Sequence, residues 1–254
     1  MDSPQSHESK SVLEHVIELR GKIFIALGAI IVGTVIGHLF HVEIIAFLLR
    51  PAGGQHLIFL SPLEPLFFIF KIDFIAGIII AFPVIIWCLF SYIAPALPKR
   101  ITKLLILFYI ASSVLLIAGL LYAFLVIIPL TLKFLFSITI VGIQNQISAQ
   151  SYISFFIFQS LTIAIIFQVP ILIIGGIYFG IFKTKTLSSK RKYIYPIITI
   201  ALAIITPTVD IFSLLIVLIP CFAIFEISLI GGRIVEAFKK KKDDNENILS
   251  QESL

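Results

Sequence analysis

Charge is scarce in this chain. Only 13% of its 254 residues are Asp, Glu, Lys or Arg, while 59% are hydrophobic and the mean hydropathy is +1.11. Soluble domains carry about a quarter charged residues, so the deficit excludes an ordinary water-soluble domain and names lipid as the solvent. Cysteine is nearly absent as well. Cys88 and Cys221 each stand inside an apolar run, which excludes a disulfide framework and metal-ligand spacing. No HExxH, GxSxG or glycine-rich phosphate loop occurs, and the aspartates nearest the apolar runs, Asp73 and Asp210, lie toward one side rather than facing each other deep in a bundle. Nothing here assembles a catalytic set, so the expectation is not an enzyme. A cleavable signal is not expected either: residues 1–22 are polar, and the run from Ile23 ends in His38-Leu39-Phe40-His41 without a small-residue cleavage pattern.

What the chain does have is long apolar runs, and they predict an all-α integral membrane protein. Spans are expected over Ile23–Phe40, Pro65–Ala94, Leu104–Ile128, ending at Pro129, and Ile153–Phe182, each close to the roughly 20 residues a helix needs to cross lipid. Residues 41–64 and 137–151 read as connections. The last third differs. Tyr193–Ile205 reaches only about 20 Å at 1.5 Å per residue, short of a hydrocarbon core of about 30 Å. Thr206-Pro207-Thr208-Val209-Asp210 then turns the chain and Ile211–Ile230 returns, so spans five and six form a short hairpin. The expected organisation is an N-terminal segment 1–22, a six-helix region 23–232 and a basic then acidic tail 233–254.

The cations orient this arrangement. Lys10, Arg20 and Lys22 precede span one; Lys99, Arg100 and Lys103 lie between two and three; Lys183, Lys185, Lys190, Arg191 and Lys192 lie between four and five; Arg233 and Lys239–Lys242 follow six. Only Arg50, Lys71 and Lys133 fall elsewhere. By the positive-inside rule both termini are cytoplasmic, and the net charge of +5 reflects orientation rather than nucleic-acid binding.

Polar groups inside spans are expensive and are functional candidates by default. Lys71 and Asp73 stand two residues apart in the first turns of span two, where snorkelling and solvation at the interface are the plain reading. Glu226 lies about four turns into span six, where either a donor pairs with it or it stays a neutral acid; a buried structural role and a proton-linked or helix-docking role are both open. Gln168 precedes Pro170, whose ring frees a mid-span carbonyl for it to satisfy. His38 and His41 read as an interface marker.

Several segments resemble the TatC family. Glu14-His15-Val16-Ile17-Glu18-Leu19-Arg20 is similar to its HLxELR signature, Ser61-Pro62-Leu63-Glu64-Pro65-Leu66-Phe67-Phe68 through Lys71 to its SPxEPF…K stretch, and Phe90-Ser91-Tyr92-Ile93-Ala94-Pro95-Ala96-Leu97 to its FIAPGL loop. Pro83, Phe167-Gln168-Val169-Pro170, Lys190-Arg191-Lys192-Tyr193, Thr206-Pro207 to Asp210, and Phe225-Glu226 continue the similarity in order, over about residues 11–236. Two positions depart: Ile101 and Gln168 stand where the family usually has acidic residues.

The resemblance implies a glove-shaped six-helix bundle in the bacterial inner membrane, or in a thylakoid or other organelle membrane. It implies the receptor subunit of a twin-arginine translocase, driven by the protonmotive force and free of cofactors. Its partners would be twin-arginine signal peptides of folded precursors, TatA- and TatB-type single-span subunits, the lipid bilayer and further copies of itself. Signal-peptide binding is expected at Glu14, Glu18, Arg20, Tyr92, Pro95 and Leu97. Partner docking and intramembrane polar roles are expected at Lys71, Gln168, Asp210 and Glu226. A small-solute or ion transporter using Lys71, Asp73 and Glu226 is the competing reading; transporters often show two similar halves, and no internal repeat is evident.

Overall fold

A computed structural model of the chain describes residues 12–54, 56–93, 102–138, 146–205 and 211–252. Among them the helices are α1 (Val12–Leu39), α2 (His41–Leu49), α3 (Glu64–Ile93), α4 (Thr102–Tyr122), α5 (Ile128–Ser137), α6 (Ala149–Ile166), α7 (Val169–Tyr178), α8 (Thr184–Ser189), α9 (Arg191–Ile205) and α10 (Ile211–Glu252). Two strands of two residues each, β1 (Leu57–Ile58) and β2 (Ile147–Ser148), pair in parallel with Leu57 opposite Ile147. Five stretches are long and apolar enough to cross a membrane: Val16–Leu39, Glu64–Ile93, Leu105–Ser137, Ala149–Tyr178 and Ile211–Lys239. The chain is therefore an all-α membrane protein. Its outward faces carry large apolar side chains such as Leu39, Leu125, Leu172 and Ile204, as expected where lipid rather than water is the solvent. With 15 residues, α9 is too short to count with the five.

The third span does not stop at Pro129. Ahead of it the backbone opens into a π turn over Ala123–Ile127, where Ile128 N–H donates to the carbonyl of Ala123, and α5 carries on to Ser137. Proline has no N–H to offer Leu125, and its ring would strike that carbonyl in a regular helix; the wider turn relieves both conflicts. The segment 41–64 is more ordered than a plain connection. It holds α2, a 3-10 turn at Arg50–Ala52 and β1. Before α3, Glu64 N–H donates to the Ser61 carbonyl while the Glu64 carboxylate accepts from Leu60 N–H at 2.8 Å, which closes the Ser-Pro-Leu-Glu turn onto the helix start. At the other end of the chain, the expected tail continues α10 as helix to Glu252.

The chain divides into two compact units. The first comprises residues 1–44 and 69–109, so it holds α1 and most of α3. These helices meet through small residues. A Cβ on Gly33 would lie 2.6 Å from the carbonyl oxygen of Gly77, and one on Gly37 would lie 3.0 Å from Ala76 Cβ. The Gly33–Gly37 spacing of four puts both on one face of α1, the close-approach pattern of helices packing in lipid. The second unit comprises residues 45–68 and 110–254. Ile127, Ile128, Ile153, Ile163 and Leu229 are fully buried in it. Tyr152 O–H donates to the Leu48 carbonyl at 2.7 Å, and Phe47 stacks on Phe124.

Candidate functional site

In the first unit, Lys22 on α1 donates from Nζ to Ser91 Oγ on α3 at 2.7 Å. Glu18 stands one turn before Lys22, and Tyr92 follows Ser91 in the last turn of α3; both are half-buried. The bond thus brings a carboxylate and an aromatic ring to the same end of the α1–α3 pair, the chemistry that suits a guanidinium. Arg20 is exposed, with its guanidinium carbon 5.7 Å from the centroid of the Phe24 ring one turn on. Glu14 belongs to α1 by its backbone, one turn before Glu18. Its side chain, and Pro95, Leu97, Ile101 and Asp210 altogether, lie outside the described residues.

Deeper in this unit, Lys71 is half-buried and Asp73 is 6% exposed, so Asp73 is not solvated at an interface. Its Oδ2 lies 2.7 Å from His38 Nδ1, while Oδ1 has no hydrogen-bond partner among the described residues. Packing dictates the pairing. A Cβ on Gly37 would lie 3.3 Å from the Asp73 carbonyl oxygen, and that approach carries the neighbouring His38 onto the carboxylate. The His38 ring in turn stacks on His41 with centroids 5.0 Å apart, and His41 Nδ1 lies 2.6 Å from the His38 carbonyl. Among the described residues no group of three His, Cys, Asp or Glu can hold a metal ion.

In the second unit, the helix break between α6 and α7 places Gln168 against α4. Ser112 Oγ donates to Gln168 Oε1 at 2.6 Å, and Gln168 Nε2 donates back to the Ser112 carbonyl at 3.3 Å. Gln168 therefore ties two helices together rather than satisfying its own proline break. Of the two alternatives for Glu226, the paired one is found: Arg191 Nη2 donates to its Oε2 at 2.7 Å, and Tyr195 O–H donates to its Oε1. Both come from α9. The Arg191 and Glu226 side chains are 38% and 36% exposed, so the ion pair is half open to its surroundings rather than sealed.

Sequence reasoning names none of these pairings. A signal for Arg191 was there: it stands nearly as far before the 206–210 turn as Glu226 stands after it, which is what an antiparallel hairpin pairs. The Lys22–Ser91 and His38–Asp73 contacts depend on how α1 registers on α3, and the small residues that set that register are common in any membrane helix.

Similarity to known proteins extends over nearly the whole chain. The family model described as Sec-independent protein translocase protein (TatC) matches residues 14–220. A Sec-independent protein translocase protein TatC from Aquifex aeolicus is 33% identical over 236 residues, covering 91% of this chain and 97% of its own length. The Magnetococcus marinus protein of the same name is 31% identical, covering 91% of this chain and 87% of its own length. The Escherichia coli K12 protein is 27% identical with 89% of each chain covered. Among solved structures, a crystal structure of a twin arginine translocase receptor, TatC, is similar at TM-score 0.75 and 32% identity, covering 88% of this chain and 100% of the other. A second, in DDM, gives TM-score 0.78 at 32% identity, with 86% and 99% covered.

Proposed function

This chain belongs to the TatC family of Sec-independent protein translocase proteins, and from that premise we propose that it is a translocase receptor that binds the twin-arginine signal peptides of folded precursors. As a translocase component it is a transport protein of the membrane. The observation that carries the receptor reading is the Lys22–Ser91 bond, which sets Glu18 and Tyr92 at one end of the α1–α3 pair. A twin-arginine motif brings two fixed positive charges in planar forks, and each is best met by a carboxylate. Glu18 is the primary contact and Glu14, one turn earlier on the same face, the second; Tyr92 lends its ring. Arg20, Pro95 and Leu97 belong to the edge of this site by family resemblance.

Partner docking falls to the α9–α10 hairpin. TatA- and TatB-type single-span subunits pack where a 15-residue helix leaves lipid poorly matched, beside the half-open Glu226. Lys71, Gln168 and Asp210 are the remaining polar positions of this reading. The surrounding arrangement is a glove-shaped six-span bundle with both termini cytoplasmic, in a bacterial inner membrane, self-associating within the receptor complex and driven by the protonmotive force.

The test is photo-crosslinking of a twin-arginine precursor to the chain in membranes, in wild type and in Glu14→Ala, Glu18→Ala and the double variant. Losing a charge-assisted contact costs about 1.5–3 kcal/mol, a roughly ten- to hundredfold drop in affinity. Wild-type crosslinking by the double variant places recognition of the arginines elsewhere.

A further inference from the structure

We propose that the basic end of the second unit, where α7, α8 and α10 converge, binds the phosphate headgroup of an anionic phospholipid. This surface is independent of the signal-peptide site. Two glycines let α10 come close there. A Cβ on Gly231 would lie 2.8 Å from Ile174 Cδ1, and one on Gly232 would lie 3.2 Å from Thr184 Oγ1. The resulting contacts are specific. Glu236 Oε1 accepts from Thr184 N–H at 2.8 Å, Arg233 Nη2 approaches Ser188 Oγ at 3.5 Å, and Lys239 Nζ approaches the Tyr178 carbonyl at 3.4 Å. Gly180, at φ +79°, lets the chain leave α7 in a tight turn in which Ile181 and Phe182 N–H both donate to the Gly176 carbonyl, delivering Lys183 to the same place.

Charge and apolarity then coincide. Lys183 and Lys185 flank Thr184, Arg233 and Lys239 flank Glu236, and all four cations are exposed. Glu236 is the carboxylate among them, and one of its oxygens is already committed to the backbone. Beside the cations, Ile181 and Phe238 are 69% and 70% exposed. A surface meant for water or for a soluble anion has no use for large exposed aliphatic and aromatic groups next to its cations. A surface at the lipid boundary uses both, the apolar groups entering the acyl region and the ammonium and guanidinium groups meeting phosphate. α10 continues as helix through Lys240, Lys241 and Lys242.

The experiment is native mass spectrometry of the full chain, purified in detergent and titrated with phosphatidylglycerol or phosphatidylcholine. Wild type is expected to retain phosphatidylglycerol in preference to phosphatidylcholine. The variant Lys183→Gln, Lys185→Gln, Arg233→Gln, Lys239→Gln loses that retention by at least about tenfold, several basic contacts being removed together. Replacing the three lysines by arginine preserves it. A control carrying Lys99→Gln, Arg100→Gln and Lys103→Gln, cations of another cytoplasmic segment, retains wild-type binding. Should the fourfold variant not fold, the double Lys183→Gln, Lys185→Gln change, at exposed side chains, shows the same loss to a smaller degree. The proposal is overturned if the variants bind phosphatidylglycerol as wild type does, or if the control loses as much. Displacement of the lipid by millimolar inorganic phosphate also overturns it, because the site would then serve a free anion.

Discussion

Gly77 of α3 lies so close to α1 that a Cβ placed on it would sit 2.2 Å from Thr34 Oγ1 and 2.6 Å from the Thr34 backbone nitrogen. Backbone cannot step aside as a flexible side chain can. Gly77→Ala therefore forces α1 and α3 apart, at about 1–3 kcal/mol for overpacking. In a melting experiment in detergent this is a fall of about 2–4 °C for each kcal/mol in a protein of this size. Gly28→Ala, on the same helix α1 but with open space around it, is expected to leave melting unchanged or raise it. Equal melting of the two variants would contradict the packing argument.

His38 and Asp73 give a second test in the same unit. His38→Ala strands a carboxylate that is 6% exposed, and the expected loss is about 1–3 kcal/mol. Adding Asp73→Asn removes the stranded charge and restores part of the loss. A double variant that melts lower than His38→Ala would show that the carboxylate is held by something other than His38.

Gln168 uses both ends of its amide on Ser112, and so Glu is not equivalent there. In Gln168→Glu an oxygen replaces the nitrogen that faces the Ser112 carbonyl at 3.3 Å, setting acceptor against acceptor. The expected cost is about 1–3 kcal/mol. The loss shrinks when Ser112→Ala is already present, because the pair is coupled. Additive melting shifts in the double-mutant cycle would argue against the contact.

For Glu226, replacement by Ala removes the acceptor of both Arg191 and Tyr195 and is expected to cost about 0.5–2 kcal/mol, between an average interhelical bond in lipid and a charge-assisted one. Glu226→Gln keeps an acceptor for Tyr195 and loses less. Under the proposed docking, Glu226→Ala also lowers co-purification of a single-span partner. Unchanged co-purification would confine Glu226 to holding the hairpin together.

Topology can be read by labelling. In a variant with Cys88 and Cys221 replaced, single cysteines at Gln146 and Ser250 are expected to react with an impermeant maleimide from opposite sides of the membrane. Labelling of both from one side would rule out the six-span arrangement.

The spans are legible in the sequence because an apolar run of about 20 residues matches the thickness of a bilayer and has little use in water. Pro129 misleads for a physical reason: in a regular helix it is a stop, and nothing local in Ala123–Ile127 announces that the backbone will widen to admit it. Asp73 reads as solvated because its position near a span end permits it; only the approach of Gly37 to α3 brings His38 within reach. The Glu18–Tyr92 end is half legible. Motif resemblance names its residues, but the bond that gathers them, Lys22 to Ser91, joins two residues that read in sequence as an orienting charge and a bystander.

The π turn before Pro129 also fixes phase. An α-helix advances about 100° per residue, so the extra residue held in that turn rotates everything after it by about that much relative to α4. Thr131 and Leu132 are buried because of that offset. A single-residue deletion inside Ala123–Ile127 would remove that extra residue and straighten the helix with Thr131 and Leu132 still facing inward, whereas restoring a regular helix at unchanged length would swing them outward. The segment accordingly tolerates the loss of one residue better than the gain of one.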